Sequence, residues 1–548
     1  MTNFLHFPDK LPGNYRQKCR EVRFGNASTA LWNLAKTSRE GTMKTRMLVF
    51  VVPVLMVVLG WQGSLNAQCA PSGHIFNLEP RKNASFLSQF DQSLALLSNR
   101  SGSGNDLVVG SAEDARPLVS QSLTFNDAFY VGRDSSNCAA AVEGGMPLIQ
   151  LGAQTLVAIT INGPAVAADP AHDAFFFAAI YFAQSPDFSE VGVLKSTAAD
   201  LLNTTNCPNG TLQNPVPCFE PLAGGADISP LNTLLFTPVL AVDQRKTGLG
   251  NGDVYVADVD STSGQNQLAI SACTNAKLVC GNPQFISLGQ NDVDANPWIQ
   301  VRPDGAVTVS YQHLIIDSKQ NVILQYKFVT CAPKGAPNPP ACGTPVVAAQ
   351  PKNPAVDSGG ETALFYNTRP THVNRLESDS KTITTFLTFA VCEVPAIQSL
   401  FLCPKTGVVV THSTDGKTWS PAEKVSTSPG QQFDGVMALD DSTQTVNIAY
   451  YSTEKDPDKL RTQVFLAQIL PGSTSVSKPH QLTSAFYDAG IFGSFFSGYG
   501  DHIAVAAAGT GKIGESKVYV HFNGSPVDGS YNGHPFPIDT NTLTRFEY

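Results

Sequence analysis

One pattern recurs along this 548-residue chain: a short apolar run that opens on Pro or another turn residue and leads into a tight turn. The clear copies are Pro164–Asp169, Pro238–Asp243 and Pro297–Gly305, and weaker copies begin at Phe90, Pro370, Asp434 and Ser494. The openers are 59 to 74 residues apart, and each leads to a strongly apolar second run and two further short ones. A repeated unit of this size buries its faces only against its neighbours.

Within the units, apolar and polar residues alternate with the period of β-strands. The alternation is clear in Asp253–Ala257, Ala306–Tyr311 and Thr445–Tyr450, and no long helical period follows residue 67. Four antiparallel strands per unit, repeated six or seven times, predict an all-β fold of the β-propeller type. A single closed ring would remove the exposed sheet edges. A pair of β-sandwiches is the alternative, but it would not explain the regular recurrence.

The N-terminal part has the layout of a secretory signal peptide. A basic start, Met43–Arg46, precedes the apolar run Met47–Gly60 and the small residue Ala67. We therefore interpret residues 43–67 as a cleaved signal peptide and residues 1–42 as a mis-called upstream extension. The alternative is a genuine leader with an uncleaved anchor. The predicted protein is secreted or periplasmic, with no stable membrane insertion after cleavage.

The remaining chain divides into three predicted parts. Residues 68–85 form a lead-in, residues 86–525 the propeller, and residues 526–548 a C-terminal tail or a ring-closing strand. Residues 68–548 contain 27 basic and 42 acidic side chains, a net charge of −15. A chain this acidic is a poor partner for nucleic acid. We expect a monomer without a cofactor.

Ten cysteines remain after the signal peptide, and eight of them form close pairs in sequence. The pairs are Cys207/Cys218, Cys273/Cys280, Cys331/Cys342 and Cys392/Cys403. In an exported chain such pairs indicate disulfides, each contributing roughly 2–3 kcal/mol. Cys69–Cys138 follows only by elimination. Zinc-type C-x2-C spacing with a nearby His is missing, so no metal site is predicted.

The segment Ser413-Thr-Asp-Gly-Lys-Thr-Trp419 resembles the Asp box of sialidase-like (BNR-repeat) propellers. Ser413 and Asp415 would bond local backbone, Gly416 would supply an unusual backbone angle, and Trp419 would pack between sheets. The resemblance covers roughly residues 86–525 and implies that this turn lies on the face away from any active site.

The same resemblance implies an activity on glycans, such as exo-glycosidase hydrolysis at the ring mouth. Sialidases of this family hold the sugar carboxylate with three arginines and use a Tyr/Glu pair and an Asp. The Arg-Ile-Pro segment of the family is missing, and no catalytic residue can be transferred. Paired carboxyls are the other route to hydrolysis. The alternative function is a non-catalytic platform that binds a protein or another ligand.

Candidate ligand-binding residues follow from the topology of a four-stranded unit. The start of the first strand and the end of the second lie on one face, near the ring axis. First strands supply Asp91, Asn296, Arg369 and Asp434; second strands supply Asp114, Arg116, Asp258, Asp260, His313 and Glu454. This polar and largely acidic rim predicts a carbohydrate or glycoconjugate, or a protein, as the partner.

Overall fold

The chain folds into antiparallel β-sheets of four strands, which confirms the predicted all-β class. The computed structural model describes residues 74–77, 89–98, 106–114, 126–133, 141–145, 148–151, 154–157, 163–184, 187–202, 219, 227–230, 235–262, 264–286, 292–316, 322–353, 369–394, 403, 405–457, 461–483, 503–509, 516–531 and 534–547. All of them belong to the unit formed by residues 68–548.

In the described part of the chain, the strands are accompanied by one short helix, Ala198–Leu202. They are β1 (His74–Asn77), β2 (Gln89–Leu97), β3 (Leu107–Asp114), β4 (Asn126–Arg133), β5 (Ala141–Gly145), β6 (Leu148–Leu151), β7 (Gln154–Val157), β8 (Ala165–Asp169), β9 (Ala174–Gln184), β10 (Asp187–Thr197), β11 (Asp227–Pro230), β12 (Leu235–Val242), β13 (Val254–Asp260), β14 (Gln267–Cys273), β15 (Gln284–Phe285), β16 (Asp292–Val301), β17 (Val307–Ile316), β18 (Val322–Ala332), β19 (Ala341–Cys342), β20 (Val346–Ala349), β21 (Thr371–Leu376), β22 (Ile383–Cys392), β23 (Thr406–Ser413), β24 (Glu423–Lys424), β25 (Gln432–Asp440), β26 (Thr445–Ser452), β27 (Gln463–Ile469), β28 (His480–Gln481), β29 (Ala504–Gly509), β30 (Ser516–Tyr531) and β31 (His534–Glu547).

These strands form seven larger sheets, which we number along the chain. Sheets 1 to 6 have the orders β2-β3-β4-β5, β8-β9-β10-β11, β12-β13-β14-β15, β16-β17-β18-β19, β21-β22-β23-β24 and β25-β26-β27-β28. Sheet 7 has the order β29-β30-β31-β1, so the N-terminal strand β1 forms its fourth strand. In addition, β20 pairs with β18, and β6 pairs with β7 alone.

Each predicted opener from Phe90 to Asp434 belongs to the first strand of a sheet or directly precedes it. The residue Ser494 lies outside the described residues, and the first strand of sheet 7 begins at Ala504. The strands β1 and β31 lie beyond the range 86–525, in the predicted lead-in and C-terminal segments. The domain limits at residues 86 and 525 stay a prediction.

The second strands are apolar because both of their faces are covered. In β9, Phe175 and Phe177 pack towards sheet 1, whereas Phe176 between them packs towards sheet 3. All eight residues of β26 are buried. Full burial of a Phe side chain contributes roughly 2–3 kcal/mol. The alternation predicted for half-buried strands is therefore replaced in the second strands by continuous burial.

Neighbouring sheets are joined by hydrogen bonds as well as by apolar packing. The first strands contact one another in chain order, and β29 also contacts β2. Seven hydrogen bonds of 2.6–3.3 Å, one for each pair of sheets, illustrate these links. In the order from sheets 1 and 2 to sheets 7 and 1, they join Ser111 Oγ to the Pro164 carbonyl, Gln244 Nε2 to the Ala168 carbonyl, Arg245 Nη1 to the Asp304 carbonyl, Thr308 Oγ1 to His372 Nε2, Arg375 Nη1 to the Leu470 carbonyl, Ser516 Oγ to Asp440 Oδ2, and Tyr519 Oη to Asp106 Oδ2. Every pair of consecutive sheets is linked, and so are sheets 7 and 1.

The link between sheets 7 and 1 makes a testable contribution to stability. Tyr519 is fully buried and donates to the buried carboxylate of Asp106 at 2.7 Å. Tyr519→Phe is expected to lower the free energy of unfolding by roughly 1.5–3 kcal/mol, because the acceptor is charged. Tyr326→Phe removes a buried bond to the neutral Ala390 carbonyl and should cost only about 1 kcal/mol. Denaturant unfolding that shows Tyr519→Phe to be the milder change would contradict this interpretation.

Three of the predicted disulfides are confirmed, namely Cys273–Cys280, Cys331–Cys342 and Cys392–Cys403. The first two lie after third strands, and the last joins the end of β22 to the residues before β23. Cys69, Cys138, Cys207 and Cys218 lie outside the described residues. In the part of the chain that the structure describes, no helix is long and apolar enough to cross a membrane.

The turn after β23 has the local hydrogen bonds expected from Ser413-Thr-Asp-Gly. Asp415 Oδ1 accepts from the amides of Lys417 and Thr418 at 2.7 Å, and Ser413 Oγ accepts from the amide of Gly416 at 2.9 Å. These bonds hold the pKa of Asp415 below its usual range. Gly416 has a φ of 67°, which favours glycine. Trp419 packs edge-on against Phe328 of sheet 4, with ring centroids 5.2 Å apart.

Candidate functional site

The first strands contain a repeated irregularity near the face at which they begin, here called the mouth face. Two residues of the first strand oppose one residue of the second, which is a β-bulge. The register shifts lie between Phe90 and Ser93, Phe236 and Val239, Ala295 and Trp298, and Phe433 and Val436. Bulges re-aim side chains and are enriched beside active sites.

The first residue of three bulges has a left-handed backbone. The φ angles are 46° at Thr237, 51° at Asn296 and 49° at Asp434. A β-branched residue such as Thr237 rarely adopts this conformation, which costs on the order of 1–3 kcal/mol. Thr237 and Asn296 are each followed by a proline, and so are Gly163 and Arg369 at the starts of sheets 2 and 5. Gly163 also has a left-handed backbone, with a φ of 67°. We call these positions the bulge ring: Asp91, Gly163, Thr237, Asn296, Arg369 and Asp434.

Four predicted ligand residues therefore share one position in their sheets. Asp91, Asn296, Arg369 and Asp434 all belong to the bulge ring, although the side chain of Asp91 is outside the described part. Asn296 and Asp434 are buried, and Asn296 Nδ2 donates to Gln312 Oε1 at 2.8 Å. Arg369 lines a cavity of about 950 Å³ whose lining includes residues of the first strands of all seven sheets. Trp298 lines the same cavity.

A second group of residues, of which Asp258 was predicted, faces the bulges from the second strands. Asp258, Tyr311 and Tyr450 lie opposite the bulges of sheets 3, 4 and 6, and all three are buried. Burial raises the pKa of both phenols, so they remain neutral near pH 7. Tyr450 and the adjacent Tyr451 pack in the core between sheets and do not present a stacking surface.

Two residues further along the second strands, towards the mouth face, lie three more predicted residues: Asp114, Asp260 and His313. Each pairs with a first-strand residue at the equivalent register position. The side chain of Asp114 is outside the described part. Asp260 Oδ1 accepts from the amide of Thr262 at 2.6 Å and so caps its own turn. Arg116 lies outside the described residues altogether.

His313 is buried between two carboxylates. Its Nδ1 lies 2.8 Å from Asp294 Oδ1, and its Nε2 lies 3.3 Å from Asp292 Oδ2. Burial raises the pKa of Asp294, although the hydrogen bond to His313 opposes this shift. The described residues contain no group of three or more His, Cys, Asp or Glu side chains suited to a metal ion. We therefore interpret His313 as a partner of the two aspartates.

Glu454, the last predicted candidate, follows β26 on the mouth face. Its amide donates to Ser452 Oγ at 3.1 Å, and its carboxylate lies 3.5 Å from Lys455 Nζ. The sequence analysis missed the neighbouring Gln431 and Gln432. Their Oε1 atoms are buried, and neither has a hydrogen-bond donor among the described residues. Two consecutive glutamines before an apolar opener were the available signal.

Most described arginine side chains have structural roles. Arg245 binds Asp243 and the Leu249 carbonyl, Arg302 binds Asp304, and both lie at the face opposite the mouth. Arg375 lies at that opposite face too, and Arg461 pairs with Asp456 at 2.7 Å. Arg245 and Arg302 line the same cavity as Arg369, but at its opposite end and in ion pairs, so the described arginines do not form a clamp of three at the mouth.

No family model matches the chain, and no curated protein is similar to it in sequence. Among solved structures, it is similar to the polysaccharide lyase Uly1, at 9% identity over 87% of this chain and 98% of that one, with a TM-score of 0.45. A PL25 ulvan lyase bound to -[GlcA(1-4)Rha3S]- matches at 9% identity over 84% and 95% of the two chains, with a TM-score of 0.43. The Hadza microbial sialidase Hz136 matches at 9% identity over 84% and 66%, with a TM-score of 0.37.

Proposed function

We propose that the protein is an exported β-propeller of the sialidase-like type, with seven blades in a closed ring. The contacts and hydrogen bonds between consecutive sheets, including sheets 7 and 1, support closure. Strand β1 would complete the last blade and hold the two ends of the chain together. The turn at Ser413–Trp419 would be its Asp box, on the face opposite the mouth.

The proposed activity is binding of a glycan at the bulge ring. The observation that carries this proposal is the set of buried acceptor oxygens on the mouth side of sheet 6. Gln431 Oε1 and Gln432 Oε1 lack donors among the described residues, and they lie just before the strained bulge at Asp434. A buried acceptor without a donor costs about 1–3 kcal/mol, so such groups call for a ligand that donates hydrogen bonds.

A neutral sugar fits these groups better than an anionic one. Sugar hydroxyls donate to carboxylate and amide oxygens, and the buried carboxyl of Asp434 lies in the same strand as Gln432. A sialic acid would bring its carboxylate close to these side chains. Three described arginines line the cavity, but Arg245 and Arg302 are already paired with Asp243 and Asp304. The proposed ligand class is therefore neutral glycans.

Whether the site also hydrolyses glycosides depends on its carboxyls. Asp258 of sheet 3 and Asp434 of sheet 6 are buried beside first-strand bulges and are the candidates for the acid and base. Turnover of a fluorogenic panel of neutral glycosides by the mature protein would support hydrolysis. Binding on a glycan array without turnover would indicate a non-catalytic binding protein. The ion pairs formed by most described arginines favour this outcome. If the protein neither binds on the glycan array nor turns over the glycoside panel, the glycan proposal is refuted.

Two substitutions test the position of the site. Asp434→Asn is expected to weaken glycan binding at least tenfold, and Asn296→Ala about fivefold, because each removes a hydrogen bond to the ligand. Calorimetric titration with a neutral glycan selected from the array would measure both. Asn338→Ala removes an exposed amide on the opposite face and should bind as the wild type does. Equal affinities for all four proteins would place the site elsewhere.

A further inference from the structure

Three loops of sheets 3 and 4 pack together on the face opposite the mouth. They are the β12–β13 turn, residues 243–253, the β14–β15 connection, residues 274–283, and the β18–β19 connection, residues 333–340. A Cβ at Gly335 would lie 3.1 Å from Leu249, and one at Gly281 would overlap the Pro337 carbonyl. Asp253 Oδ2 accepts from the Ala336 amide at 2.7 Å. We call this surface the stapled platform.

Covalent and ionic bonds hold the platform rigid. Disulfides Cys273–Cys280 and Cys331–Cys342 close two of its loops. In the third loop, Arg245 binds Asp243 through two nitrogens and reaches the carbonyls of Leu249 and Asp304. A rigid surface loses little conformational entropy when it binds a partner.

The exposed side chains of the platform combine apolar and basic character. Leu249 is 61% exposed and Val279 is 44% exposed, which makes them two of the most exposed large apolar residues described. Lys246, Lys277 and Lys334 are exposed on the same three loops. The acidic side chains of these loops, Asp243 and Asp253, are buried. On the adjoining β16–β17 turn, the exposed carboxylate of Asp304 pairs with Arg302 at 2.8 Å.

This basic surface contrasts with a chain whose net charge is −9. We propose that the stapled platform docks an acidic segment of a partner protein that carries leucine-like side chains. The three lysines would attract the acidic groups, while Leu249 and Val279 would bury against the apolar ones. A uniformly anionic polymer would satisfy the lysines but leave both apolar side chains in water.

A labelled peptide tests the proposal. The probe contains two leucines flanked by glutamates, and fluorescence anisotropy measures its binding to the mature protein. We expect binding that weakens about tenfold between 50 and 300 mM NaCl, because exposed charges are screened. An analogue with serines in place of the leucines should bind several-fold more weakly. Absence of measurable binding of the leucine probe, or equal binding of both peptides, would overturn the proposal.

Matched variants locate the binding surface. The triple variant K246E/K277E/K334E should lose at least tenfold in affinity, and Leu249→Ser severalfold. The control K381E/K417E/K478E reverses three exposed lysines on the same face of sheets 5 and 6 and should cause at most a small loss from its change in net charge. Unchanged thermal unfolding would show that the variants fold. An equal loss in both triple variants, or dextran sulfate binding that survives Leu249→Ser and exceeds that of the peptide, would refute a protein-docking platform.

Discussion

His372→Gln is expected to remove much of the acid sensitivity of this protein. His372 is fully buried between sheets 4 and 5, and burial lowers its pKa to about 3. Its Nδ1 and Nε2 each lie 2.8 Å from a hydroxyl, those of Ser310 and Thr308. Ser310 Oγ donates to the Pro370 carbonyl and so accepts from Nδ1 of a neutral ring. Thr308 Oγ1, 2.8 Å from Nε2 and 3.2 Å from the Gln300 carbonyl, then donates to the nearer Nε2.

The sign of the pH effect follows from the lowered pKa. In the unfolded chain His372 binds a proton below its ordinary pKa of about 6.5, whereas in the folded protein it stays neutral down to about 3. Acid therefore favours the unfolded chain, and stability is lost as the pH falls through this window. One group with this shift removes roughly 3 kcal/mol between pH 6.5 and 4.

Denaturant unfolding of wild type and variant between pH 7.5 and 4 would measure this contribution. At pH 7.5 the variant should be less stable by about 1–3 kcal/mol, because it loses part of the buried hydrogen bonding. The difference should shrink or reverse by pH 4. His480→Gln, a change at an exposed residue, serves as the control. A stability difference between wild type and His372→Gln that does not change with pH would contradict the assignment.

Arg375→Met is expected to be strongly destabilising. The guanidinium of Arg375 is buried, with Cζ 4.6 Å from the Phe386 ring centroid. It donates to Glu377 at 2.8–2.9 Å and to the carbonyls of Leu470 and Ser473 at 3.0 and 2.8 Å. Removing it leaves a partly buried carboxylate and two carbonyls without this donor, which costs roughly 3–5 kcal/mol.

Two further variants separate charge from geometry. Arg375→Lys keeps the charge but cannot form the planar set of bonds, so we expect an intermediate loss. Lys381→Met removes an exposed cation of the same sheet and should change stability by less than about 0.5 kcal/mol. Guanidinium-induced unfolding at constant pH would rank the three. A loss below about 1 kcal/mol for Arg375→Met would show that sheets 5 and 6 do not depend on this link.

The repeat and the strand pattern were predictable because both are local properties. The openers at Pro164, Pro238 and Pro297 directly precede a first strand or lie within one, and the cysteines of three close pairs are bonded. Alternation depends on residues two apart, turn chemistry on residues two or three apart, and short disulfide loops on small separations. The amino-acid order expresses these relations directly.

The grouping of the polar residues could be predicted only in part. Asn296, Arg369 and Asp434 were expected near the starts of first strands, but their shared position depends on bulges and on the residues before proline. Gln431 and Gln432 were missed because their burial depends on packing around sheet 6. Likewise, nothing in the amino-acid order shows that His313 lies between Asp292 and Asp294.

The sequence by itself thus determined the strand content, the repeating unit and the pairing of the six cysteines that the structure describes. Only the tertiary structure decided which arginines are used in ion pairs, which polar atoms are buried, and which loops form the stapled platform. The physical reason is distance along the chain. The bonds between consecutive sheets join residues 53 to 95 positions apart, which meet only when neighbouring sheets pack at one height. Register and side-chain packing decide that height.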